Sequence, residues 1–285
     1  MLSYRHGFHA GHWADVHKHA LLVALLGHLA ARDRPFQVLD LFAGDGVYDL
    51  AAAEALKTAE FRAGIARIWR RRDGPPGIVR YLGLVRAQNG AGRLRAYPGS
   101  PALARALLRD QDRLTLYELH PAAHRSLRAW AGRDRRISVQ RRDGFEALGT
   151  LLPPPVRQGL VLVDPSYEVK SEYETLGPAL AAAVARWPGS VWVLWYSVLP
   201  AGRHIPLLEA LGALPGAVLR AELRPPVAPA RGLLGTGAIV INPPRQFERE
   251  AAEICAWLAA ALWHGPPGHS LVGPLKAGAP AIRET

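Results

Sequence analysis

Cysteine is nearly missing: Cys255 stands alone, inside an apolar helical pattern at 251–258. That excludes an internal disulfide and a Cys-x-x-Cys metal cluster, and leaves a buried, inert thiol. No apolar run reaches the length of a membrane span before arginine, proline or glycine interrupts it. The first residues carry histidines and charges where a signal peptide would have its apolar core, so a cytoplasmic location is expected. After Gly44-Asp45-Gly46 there is neither a third glycine nor an acid about twenty residues on, which argues against a nicotinamide enzyme. Internal repeats and low-complexity linkers are absent as well. Lysine is scarce beside arginine.

The 285 residues can make one large domain or two small ones, and they suffice to bury a full core. A net charge of +11 points to an anionic partner, with nucleic acid ahead of membrane. Arginine, alanine, glycine and proline are all abundant, the mark of a genome-wide base bias, so the charge supports this reading without carrying it.

Gly159-Leu-Val-Leu-Val163 is an unalternating apolar run, expected as a central strand buried on both faces. Pro165 ends it, which puts Asp164 and Tyr167 at the carboxyl end of a parallel strand, where open α/β sheets bind ligands. The acid and the Pro165 carbonyl can accept the two hydrogens of an exocyclic amine, while Tyr167 stacks on the ring that bears it. A plain turn competes, since Asp-Pro and Pro-Ser are common turn pairs.

Earlier in the chain, His6, His9, His12, His17 and His19 crowd the start, but their spacing and lack of an acid partner do not favour a metal site. A helix is expected from near Asp15 to Ala31, with Lys18 and His19 in its early turns. A strand at 36–42 and the small-residue turn 43–46 follow, an arrangement that brings backbone close to a nucleotide. Helical patterns at 51–57, 60–72 and 79–87 suggest a helical insertion over residues 50–90 within a core of 1–49 and 91–285. Its Arg62, Arg67, Arg70, Arg71, Arg72 and Arg80 suit RNA backbone, although a solvated face explains any one of them. Ser100 is expected to cap the helix that begins at Pro101. Strands at 113–118 and 137–140 end in Glu118 and Asp143, so with Asp164 three strand ends in succession present an acid. Glu118 suits ribose hydroxyls, and Asp143 either an adenine amine or a helix cap. Further strands are expected at 190–196, 216–223 and 235–242. Asn242-Pro-Pro-Arg245 imitates the Asp164 motif but lacks the aromatic, so it reads as a strand terminator. A helix at 248–263 and a Pro/Gly-rich tail close the chain.

Asp164-Pro-Ser-Tyr167 resembles the Asp/Asn-Pro-Pro-Tyr signature of amino-group methyltransferases. The likeness is wider than that. Tyr4-Arg-His-x-Phe-His9, Asp15-Val-x-Lys-His19, Gly64-Ile-Ala-Arg-Ile-Trp69, Tyr97-Pro-Gly-Ser-Pro101, Glu118-Leu-His-Pro121, Asp143-Gly-Phe145 and Leu194-Trp-Tyr196 together resemble the RlmJ family, enzymes that methylate N6 of an adenine in large-subunit (23S) ribosomal RNA. The resemblance implies a Rossmann-like α/β methyltransferase sheet with a small helical insertion, S-adenosyl-L-methionine as cofactor and ribosomal RNA as partner; a monomer that binds neither membrane nor metal is expected beside it. It implies Asp164, with Pro165 and Tyr167, as the catalytic group. His19, Phe42, Ser100, Glu118, Asp143, Gly144 and Asp164 would line the cofactor site, and Tyr4, His6 and Lys18 would meet RNA. The chain departs from the family at His12-Trp13, His17, Phe42, Ser166 and Ser197. Rival expectations are an N6-adenine DNA or protein-glutamine methyltransferase, and a catalytically weak RNA-binding relative.

Overall fold

The structure, a computed structural model, describes residues 5–150, 156, 158–169, 171–229 and 232–276. The chain opens with α1 (Trp13–Ala30), β1 (Phe36–Asp40) and β2 (Val47–Asp49). The short helices α2 (Ala53–Thr58) and α3 (Ile65–Ile68) lead to α4 (Pro76–Asn89), β3 (Ala96–Pro98) and α5 (Ser100–Leu107). Next come β4 (Arg113–Tyr117), α6 (Pro121–Ala131), β5 (Ile137–Gln140), α7 (Gly144–Thr150), β6 (Gln158–Val163), α8 (Glu172–Arg186) and β7 (Val191–Val198). The last elements are α9 (His204–Gly212), β8 (Val218–Arg224), β9 (Gly235–Ile241), α10 (Phe247–Ala261) and β10 (His269–Pro274).

Eight strands form one sheet in the order β10-β8-β9-β7-β6-β1-β4-β5. From β5 to β7 every pairing is parallel, whereas β9 runs against both β7 and β8. The unalternating run in β6 is explained by what covers it. Leu160 and Leu162 enter the core under α1, α4, α5 and α10, while Val161 and Val163 enter the core under α8 and α9. Helix α1 is buried nearly all round, and its Asp15, His17, Lys18 and His19 are enclosed with its leucines. A helix in that position is part of the core and no surface element.

Pleating then places the acids. Asp40 ends β1 in register with Leu162 of β6, so Asp164, two residues on, projects to the same face. The chain runs outward from β1 to β4 and β5, then crosses back to β6 on the other side of β1 and continues outward to β7. The crevice at such a reversal, at the carboxyl ends of the strands, is where doubly wound sheets bind ligands.

Several expectations need correction. Residues 269–274, read as tail, form β10 on the edge beside β8; flanking glycine and proline hid it, and an edge strand tolerates proline at its end. A small antiparallel ladder of β2 and β3 brackets the helical segment, too short to leave a periodic signal. That segment packs into the shared core through Ile65, Ile68, Trp69, Ile78, Tyr81, Leu82 and Val85. Of the six arginines named above, Arg67 donates to the Leu262 carbonyl and Arg71 to the exposed Asp73. Asn242, read as a strand terminator, does stand at the end of the reversed β9 and donates to the carbonyls of Pro188 and Ser190 (3.0 Å each), far from the carboxyl ends of the parallel strands. Among the described residues no helix is long and apolar enough to cross a membrane, and no group of histidine, cysteine and acid side chains could hold a metal.

Candidate active site

A cavity of about 740 Å³ opens at the carboxyl ends of β1, β4, β5, β6 and β7. His6, Lys18, His19, Phe42, Ser100, Glu118, Asp143, Gly144, Asp164 and Pro165 all line it. Tyr4 lies outside the described residues. Tyr167 is the exception among the rest. Its backbone turns into the left-handed region (φ 54°), its ring stacks on Tyr173 at 4.0 Å, and its hydroxyl donates to the Trp195 carbonyl at 2.6 Å. It is therefore absent from the cavity wall, whereas the Trp195 ring lines it. The Trp195 indole is half-buried and held by its Nε1, which donates to Thr236 Oγ1 at 2.6 Å.

Around Asp164 the charges are dense. The Lys18 ammonium pairs with the Asp164 carboxylate and, at 3.0 Å, with Asp15, and lies 5.8 Å from the centre of the Trp195 ring. Lys18 is only 4% exposed, so it reaches what enters the cavity and not an RNA surface outside it. Asp15 also accepts from His6 Nε2 (2.9 Å) and the Gly11 amide (3.0 Å). Burial opposes charge on Asp15, yet His6 and Lys18 outweigh it and hold its carboxyl well below the usual range. His6 thus serves Asp15 from within the cavity wall.

Asp40 was not singled out in the sequence, and it is the acid under this site. Its Oδ2 accepts from Ser100 Oγ (2.6 Å) and its Oδ1 from the Phe42 amide (3.3 Å). Burial pushes its carboxyl up to about 6, against the help of those two donors, and the Asp164 charge adds to the rise. The helix cap expected of Ser100 falls instead to Gly99. Ser100 is already helical, and its hydroxyl is spent on Asp40.

The other end of the cavity is built from backbone and acids. Gly44 (φ 68°) and Gly46 (φ 84°) take the turn after β1 through conformations that side chains resist. Glu118 braces that turn by accepting from the Gly44 amide (2.9 Å) and the His120 amide (2.7 Å). A carboxylate has about four acceptor positions, so capacity remains for two hydroxyls. Burial raises the Glu118 carboxyl, and the two amides offset part of that. Asp143 Oδ1 caps α7 through the Phe145 amide (2.7 Å) while the residue lines the cavity, so cap and wall are the same side chain. A Cβ on Gly144 would stand 2.2 Å from the Leu41 carbonyl and 2.7 Å from the Phe42 ring, and only glycine lets the loops approach so closely. Phe42 and Phe145 meet edge-on at 5.2 Å and give this end an apolar wall.

Such a cradle fits a nucleoside with an amino-acid extension: a glycine turn, an acid able to take ribose hydroxyls, and an aromatic wall beside a capped helix start. With this strand order, including the reversed β9 between β7 and β8, it defines a Rossmann-like methyltransferase of the S-adenosylmethionine-dependent class.

Residues 33–273 match the family described as "Ribosomal RNA large subunit methyltransferase D, RlmJ", and the chain belongs to this family. It is 42% identical over 276 residues to Ribosomal RNA large subunit methyltransferase J of Escherichia coli (strain K12), covering 95% of this chain and 98% of that protein. To the protein of the same name from Haemophilus influenzae (strain ATCC 51907 / DSM 11121 / KW20 / Rd) it is 39% identical over 267 residues, 92% of this chain and 94% of that one. The crystal structure of protein LPL1258 from Legionella pneumophila str. Philadelphia 1 superposes with a TM-score of 0.87 at 32% identity, covering 93% of this chain and 98% of that chain.

Proposed function

We propose that this chain transfers the methyl group of S-adenosyl-L-methionine to N6 of an adenine in large-subunit ribosomal RNA, acting as a monomer in the cytoplasm. One observation carries the reading: Asp164 shares a single cavity with Glu118, Asp143 and the glycine turn. The cofactor, when bound, supplies an electrophilic methyl on a sulfonium. Glu118 would hold its ribose, Asp143 and Gly144 its adenine beside Phe42, and His19, Ser100 and the glycine turn its amino-acid end.

The work of this chain is to make a poor nucleophile reactive. The lone pair of an adenine amine is delocalised into the ring. Hydrogen bonds from its two N–H groups to Asp164 and the Pro165 carbonyl favour a pyramidal nitrogen and orient it. Asp164 need not be a strong base, since the methylated ammonium loses its proton readily. Lys18 keeps the Asp164 carboxylate aimed into the cavity before the base arrives. Trp195 offers the ring for stacking, of order 1–3 kcal/mol per base.

The test is Asp164→Ala assayed with labelled cofactor against ribosomal RNA, DNA and protein extracts. The wild-type chain should label RNA alone, and the variant should bind RNA yet transfer nothing. Normal turnover by the variant would refute the role of Asp164, and labelling of DNA or protein instead would replace the substrate.

A further inference from the structure

Behind the cavity wall runs a chain of buried hydroxyls. Tyr81 on α4 and Tyr97 on β3 are both fully buried, their oxygens 3.1 Å apart, and the Tyr97 oxygen lies 2.8 Å from His19 Nδ1 on α1. Neither hydroxyl has another partner among the described residues, which decides the direction of the protons. If His19 Nδ1 carried the hydrogen, Tyr97 would accept it and donate to Tyr81, and the Tyr81 hydrogen would be buried with no acceptor. If Tyr81 donates to Tyr97 and Tyr97 to Nδ1, every hydroxyl hydrogen is used. A buried donor left unmade is costly, so the second arrangement holds.

We infer that the Tyr81–Tyr97 chain locks His19 as the neutral Nε2–H tautomer, turning it into a hydrogen-bond donor for the carboxylate at the amino-acid end of the cofactor. Nε2 has no protein partner among the described residues, and His19 lines the cavity beside Ser100, whose preceding Gly99 donates to the Gly46 carbonyl of the glycine turn (2.8 Å). Burial, then the adjacent Lys18 charge, pushes the imidazole well below its ordinary range, which keeps it neutral. Tyr97 and Tyr81 are positioning residues, and they tie the helical segment to the cofactor pocket without touching the cofactor. The inference rests on the cofactor reading above.

Two measurements on the full-length chain test it. Nitrogen-detected histidine NMR of the ligand-free protein should show His19 with Nδ1 unprotonated and Nε2 protonated; the opposite tautomer overturns the inference. Calorimetry should then compare S-adenosylhomocysteine with methylthioadenosine, which lacks the amino-acid end. Tyr97→Phe should weaken the first about tenfold and leave the second unchanged. Tyr81→Phe should act in the same sense but less, because Tyr97 still donates to Nδ1. Equal weakening of both ligands by Tyr97→Phe, or no weakening of either, overturns the donor role. Should the wild-type chain bind neither ligand, the cofactor reading falls and the donor role with it, while the NMR result decides the tautomer on its own.

Discussion

Lys18 and Asp164, 146 positions apart, form an ion pair in the floor of the cavity, and the same ammonium also serves Asp15. The side chains of all three are buried or nearly so, at 5%, 13% and 5% exposure. Two carboxylates and one ammonium so enclosed make a unit in which each charge depends on the others.

Removing the cation alone should therefore cost more than a surface pair would. Lys18→Met removes the cation paired with Asp164 and leaves Asp15 with His6 and the Gly11 amide. Urea unfolding at neutral pH should show a loss of about 3 kcal/mol, the low end for breaking a buried pair. The double variant Lys18→Met/Asp164→Asn should regain part of it. No recovery in the double variant would mean that the pair is not coupled.

Asp40 predicts a pH dependence. Its carboxyl is raised from 3.8 to about 6, so between those values the folded chain holds a proton that the unfolded chain has lost. The group's contribution is complete below about pH 4 and is lost as the pH rises through about 6, an effect of about 3 kcal/mol. His17, pushed by burial down to about 4, acts in the opposite sense, since its contribution is lost as the pH falls. Asp40→Asn isolates the first effect, because an amide can still accept from the Phe42 amide and donate to Ser100. Relative to wild type, this variant should gain stability from about pH 4 to 6 and level off above that. A difference that stays flat over that range would show that Asp40 is not held protonated.

How much of this was legible in advance follows from which forces act locally. The parallel core, the glycine turn and the acids at strand ends leave marks in consecutive residues, and Glu118, Asp143 and Asp164 could be read from the ends of apolar runs. Asp40 could not be separated from its strand: Asp40-Leu-Phe42 resembles any strand end, and its meaning comes from Ser100 across the fold. Lys18 was seen, but the spacing of α1 gave no hint that the helix is enclosed on all sides. Tyr167 was assigned to the base because of its place in the motif. Its ring went to Tyr173, a packing choice made by α8.

That reassignment separates two aromatics by experiment. Tyr167→Phe keeps the stack on Tyr173 and loses one bond to a buried carbonyl, so it should cost about 1 kcal/mol in unfolding and leave the KM for RNA unchanged. Trp195→Leu removes the ring that lines the cavity and should raise that KM about tenfold, in line with a stacked base. An unchanged KM in Trp195→Leu would return the stacking role to another residue.

Helix α7 contains its own control for the close approach at its start. A methyl on Gly144 would meet the Leu41 carbonyl at 2.2 Å and the Phe42 ring at 2.7 Å and 2.8 Å, and the first of these is backbone that cannot step aside. A methyl on Gly149, in the same helix, meets nothing within 4 Å. Gly149→Ala should therefore stabilise the chain by about 0.5–1 kcal/mol through the ordinary helix preference, with cofactor binding unaltered. Gly144→Ala should destabilise it by about 1–3 kcal/mol as an overpacked site and weaken cofactor binding about tenfold, because the turn that presents Asp143 must shift. Thermal unfolding and calorimetry on the pair decide it. Matching cofactor affinities in the two variants would show that the Gly144 contact shapes the fold and not the pocket.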